Sequence, residues 1–109
     1  MAGRVNRGEI WLFTFKVPDK RRPVLVLTRQ EVLGLLRTAM VAPITSTIRG
    51  APSEVVVGID EGLKRASAVN LDHVQTVEQR LLHRHVGSLR PEKMAEVCKA
   101  LTVATGCAP

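Results

Sequence analysis

The apolar residues of this chain come in short runs divided by turn chemistry, and that division most limits what it can fold into. PVLVLT (23–28), TAMVAPIT (38–45) and EVVVGI (54–59) are strand-length and rich in β-branched residues. VPDKR (17–21), TSTIRGAPSE (45–54) and DEGLKR (60–65) separate them. GEIWLFTF (8–15) alternates as a first strand, SAVNLDHVQTV (67–77) reads as a fifth, and RLLHRHVGSL (80–89) holds a short last one. Pro23 stands at a first strand position, where a missing N–H does least harm, and Pro43 suggests an edge or a bulge near the end of its strand. EVLGLL (31–36) makes at most one helical turn, weakened by Gly34. The one convincing helix is PEKMAEVCKALTVATG (91–106), with Met94, Val97, Cys98, Leu101 and Ala104 as its buried stripe. Pro91 suits its first position and Glu92 its dipole, whereas Arg90 is a poor N-cap. Five or six short strands plus a terminal helix predict a mostly β fold, a small antiparallel barrel with the helix over one open side.

At 109 residues the chain is expected to form a single domain, 1–109, burying roughly 65% of its unfolded surface. No stretch is long and apolar enough to span a bilayer, and the N-terminus lacks an apolar signal-peptide core, so a cytoplasmic protein is expected. Cys98 and Cys107 would lie about 13 Å apart on opposite helix faces, too far for a disulfide. Cys98 reads as core filler and Cys107 as a loose thiol. The net charge of +6 points to an acidic partner, nucleic acid or protein, and no basic amphipathic helix favours a membrane.

Three groups of residues could carry chemistry. His83 and His85 would share a strand face, but no Cys, Asp or Glu stands nearby in sequence to complete a metal shell. They read as exposed polar residues flanking Arg84 on an edge strand. Trp11, Phe13 and Phe15 point to one side of the first strand, which reads as core with Trp11 partly exposed, and Tyr is absent. A stacking platform for bases is therefore poorly supplied, and charge and hydrogen bonding must do most of any RNA binding. Lys20, Arg21 and Arg22 precede the second strand, while Thr45, Ser46 and Thr47 end the third. Antiparallel pairing would bring a guanidinium beside hydroxyls, a combination able to grip a phosphodiester. A solvated turn with an arginine capping a carbonyl is the other reading of the same residues. No GxSxG, GxxxxGK[ST] or CxxC motif is present.

RGEIW (7–11), RRPVLVLTRQ (21–30), VAPITST (41–47), VNLDHVQTV (69–77) and VGSL (86–89) together resemble the MazF/PemK family of toxin endoribonucleases, in the family's order and near its spacing. The resemblance implies an SH3-like barrel, a homodimer, and cleavage of single-stranded messenger RNA at short sequences without metal or other cofactor. It also implies 2′,3′-cyclic phosphate and 5′-hydroxyl ends, growth arrest, and an acidic antitoxin of the MazE kind that occupies the RNA groove. The family's RP arginine corresponds to Arg22 and its catalytic threonine to Thr45. Ser46, Thr47, Asp72 and Gln75 fall in matching segments and are expected to touch substrate. Two departures stand out. VPDKR is shorter than the family's RNA-contacting loop and lacks its Ser-Glu-Gln stretch, and His73 and Gln75 replace the Gln and Arg of Asp-Gln-x-Arg-Thr. Lys16, Lys20, Arg21 and Arg49 are expected to restore the missing charge.

Two other functions suit the same barrel. One is a gyrase poison of the CcdB type, whose usual C-terminal signal has no counterpart in TGCAP (105–109). The other is a non-catalytic basic RNA-binding module.

Overall fold

A computed structural model describes residues 4–15 and 20–107, without the side chains of Phe15 and Lys20. The strands are β1 (Glu9–Phe15), β2 (Lys20–Val26), β3 (Thr38–Thr45), β4 (Glu54–Val57), β5 (Ser67–Asn70), β6 (Gln75–Glu78) and β7 (Leu82–Ser88). The helices are the single turn α1 (Gln30–Leu33) and the terminal α2 (Pro91–Thr105). All the pairings are antiparallel, in the order β4-β5-β3-β2-β1-β7, with β6 also on β3. The mostly β barrel with a terminal helix is thus the architecture observed.

PVLVLT reads as uninterrupted because both faces of β2 are buried. Leu25 and Leu27 enter the barrel interior with Ile10, Ala42, Ile44, Val55 and Val69, where α2 adds Val97 and Ala100. Val24 and Val26 face the other way, into a second core with Val5, Trp11, Leu33, Val41, Val77 and Leu82.

Three expectations need correction. The stretch 67–77 is two strands: a 3-10 turn at Leu71–His73 divides it, with Asn70 Oδ1 accepting the Asp72 N–H at 3.0 Å and Asp72 Oδ2 accepting the Ser53 hydroxyl at 2.6 Å. Consequently β3 serves two partners along one edge, β6 up to Val41 and β5 from Ile44. Pro43 therefore marks neither a sheet edge nor a bulge. It falls in the gap between those two ladders, where its missing N–H breaks no bond. Finally, Cys98 is exposed and Ala100 takes the buried place. At about 100° per residue, Cys98 lies about 100° from Val97 and Ala100 only about 60°, so the helix needs a slight rotation to favour one over the other. Pro91 does open the helix, and Arg90 makes no side-chain cap.

At the far end of the sheet β7 meets the turn after β4. Gly62, at φ +97°, and Gly87 bring the two backbones into contact: a Cβ on Gly62 would stand 2.5 Å from the Val86 carbonyl oxygen, and one on Gly87 would overlap that of Glu61. Only glycine at both positions permits this approach.

Candidate phosphodiester site

The β2–β3 ladder runs Val26↔Val41, Leu25↔Ala42, Val24↔Pro43. Extended two positions past that last pair, the register aligns Arg22 with Thr45, whose own ladder partner is Ala68 of β5. Both have the parity of Val24 and Val41, so they share the second-core face of the sheet, and Arg22 also pairs with Phe13 of β1. Each is half-buried. Thr45 Oγ1 accepts the Thr47 N–H at 3.1 Å. That bond uses an oxygen lone pair and leaves the hydroxyl proton free to donate. Among the described residues the Arg22 side chain makes no hydrogen bond or ion pair, and the carbonyl-capping arginines are Arg4, on Leu82 and Gln79, and Arg7, on Leu27.

The other expected residues divide. Gln75 lies on the same face, opposite Val41 and so about 13 Å down β3 from Thr45. Asp72 is engaged in the turn by Asn70 and Ser53 rather than presented at Thr45. Ser46 and Arg21 border a cleft of about 620 Å³ that Arg22 also lines. Thr47 and Arg49 are exposed on the loop after β3, where Glu54 Oε1 accepts the Arg49 N–H at 3.1 Å. Lys16 lies outside the described residues, and Lys20 is described by its backbone alone, as part of β2.

Trp11 is not partly exposed; 7% of its surface remains accessible. Glu9 Oε1 accepts its indole N–H at 3.0 Å, the Arg4 guanidinium lies 4.8 Å above its ring, and His85 meets it edge-on at 5.6 Å. A base could not stack on it. His85 also approaches Glu9 at 3.6 Å, and His83 bonds Thr14 at 3.2 Å. Burial raises the Glu9 carboxyl's pKa, but Trp11, Asn6 and His85 outweigh it and hold the group below the usual glutamate value. Among the described residues no three His, Cys, Asp or Glu side chains are grouped to hold a metal ion.

Sequence reasoning missed Lys64, Arg65 and Arg84, which line the cleft beside Arg22. The first two were hidden in a turn and the third between two histidines. What gathers them is the contact between Gly62 and Gly87, 25 positions apart in the chain, which fastens the turn to β7.

Fold and site together define a small basic β-barrel toxin-like module with a cationic strand-end site suited to an anionic chain. The chain belongs to the PemK-like, MazF-like toxin family of type II toxin-antitoxin systems, whose pattern matches residues 6–105. It is 45% identical over 109 residues to a Mycobacterium tuberculosis protein named Probable endoribonuclease MazF5, covering 98% of each chain. Endoribonuclease MazF3 of the same species is 41% identical over 83 residues, 76% of this chain and 81% of that one. Among solved structures, Mycobacterium tuberculosis toxin MazF-mt6 superposes with a TM-score of 0.83 at 37% identity, over 90% of this chain and 96% of that one. A MazE-MazF structure from Deinococcus radiodurans gives 0.77 at 25% identity, over 94% and 95%.

Proposed function

We propose that this chain is the endoribonuclease toxin of a toxin–antitoxin pair and cleaves single-stranded messenger RNA at a phosphodiester held between Arg22 and Thr45. The proposal is supported by a guanidinium that makes no hydrogen bond or ion pair among the described residues and a hydroxyl whose proton is free, on adjacent strands and of one parity. The ribose 2′-oxygen attacks the adjacent phosphorus and gives up its proton. The bond from phosphorus to the 5′-oxygen breaks, and that oxygen takes up a proton. The products are a 2′,3′-cyclic phosphate and a 5′-hydroxyl. Negative charge gathers on the non-bridging oxygens in between, and Arg22 and Thr45 stabilise it as charge-assisted and neutral donors. DNA lacks the 2′-hydroxyl and is not cut.

Relatives named endoribonucleases at 45% and 41% identity favour this over gyrase poisoning or RNA binding alone. The net charge of +6 and the MazE-MazF neighbour support an acidic antitoxin as partner. A homodimer and growth arrest on release from that antitoxin complete the reading. The test is cleavage of a single-stranded RNA by purified protein in EDTA. Arg22→Ala and Thr45→Ala should keep the wild-type circular dichroism spectrum and each lose about 100–1,000-fold in rate. Full cleavage by the double variant would remove the assigned site.

A further inference from the structure

We infer that the turn at residues 62–65, fastened to β7, forms with Arg84 a second wall of the RNA groove that grips a backbone phosphate next to the scissile one. The inference rests on the nuclease reading and extends it to Lys64, Arg65 and Arg84.

Among the described residues the cleft beside Arg22 is lined by five cations, Arg21, Arg22, Lys64, Arg65 and Arg84, and by no carboxylate. Among the described residues none of these five side chains makes a hydrogen bond or ion pair. Two acids on neighbouring elements are engaged elsewhere: Glu61 Oε1 accepts the Gly58 N–H at 2.6 Å, and Glu9 faces His85. Unneutralised like charges gathered on one concave surface repel one another, and an anionic chain relieves that repulsion. Leu12, Pro23 and Ile44 line the same cleft and offer an apolar surface for sugar and base faces.

The cations come from three parts of the chain, and the Gly62–Gly87 contact holds two of them in place. By pressing the turn onto β7 it carries Lys64 and Arg65 to the strand that bears Arg84. Arg22 is the residue this cleft shares with the scissile site, so a strand with one phosphate at Arg22 can lay its neighbour here. An acidic peptide would meet the same charge, but the sharing of Arg22 with the scissile site favours RNA.

The experiment uses Lys64→Ala/Arg84→Ala and, separately, Gly87→Ala. Cleavage of a single-stranded RNA is followed at several salt concentrations, with binding of the same RNA carrying a 2′-deoxy residue at the cut. The charge variant is expected to raise KM about tenfold, keep kcat within about twofold, and lower the salt slope of binding by about 1.4, at about 0.7 per lost single-strand phosphate contact. Gly87→Ala should raise KM in the same direction. Unchanged KM and salt slope in the charge variant, with cleavage intact, would overturn the inference and leave the nuclease reading standing. Weakened polyglutamate binding with RNA binding unchanged would also overturn it, assigning the cleft to an acidic protein. Absence of cleavage by the wild type would defeat the nuclease reading itself; binding of the 2′-deoxy RNA would still report on the cleft.

Discussion

Gln79 ties together the segment that leads into β3, the strand carrying Thr45. Its Nε2 donates towards the carbonyls of Leu33 at 2.9 Å, Leu36 at 3.0 Å and Thr38 at 3.0 Å, and its backbone N–H bonds Arg37 O at 2.8 Å. Three acceptors around one nitrogen settle which end of the amide points inward. Replacing Gln79 by Ala removes the donors and leaves the carbonyls. The Leu36 carbonyl is exposed and water can satisfy it, but those of Leu33 and Thr38 are partly buried. At about 1 kcal/mol for each of the two, the loss is about 2 kcal/mol. With an unfolding entropy of about 2.1 cal/mol/K per residue, the 109 residues give about 0.23 kcal/mol/K, so Tm should fall by about 9 °C. Gln79→Glu should cost more than Gln79→Ala, because a carboxylate would face carbonyl oxygens with no proton to offer. The assay is thermal unfolding by circular dichroism at fixed protein concentration. Gln79→Glu as stable as Gln79→Ala, or either within about 2 °C of wild type, would refute the donor argument.

Other expectations follow from individual contacts. Thr45→Val removes the donor at nearly constant shape and should cut kcat about 100–1,000-fold, while Thr45→Ser keeps it within about tenfold in single-turnover cleavage. Glu9, held below its ordinary value of 4.5, contributes stability that is present above that pH and lost as pH falls through the lowered native value. Acid unfolding curves should therefore flatten below that pH in Glu9→Gln. Asn70→Ala removes the bond to the Asp72 N–H that shapes the turn between β5 and β6, and should cost about 1 kcal/mol in urea unfolding. Both cysteines are exposed, so a thiol reagent should titrate Cys98 and Cys107 without denaturant.

The sequence by itself determined the local elements. Most strands, the turns between them and the Pro91 helix start follow from neighbouring residues, because period and turn chemistry act over a few positions. What lies beyond that range was decided by tertiary structure. Val24 and Leu25 are equally apolar, and only packing sends one outward to Trp11 and the other inward to Ala42. Cys98 and Ala100 are both small enough for the interior, and the seating of α2 on the barrel chose between them. The turn that splits 67–77 is held by the Ser53 hydroxyl, brought to Asp72 from before β4. Lys64 and Arg84 share a cleft because two glycine backbones touch, a long-range contact that no local pattern announces.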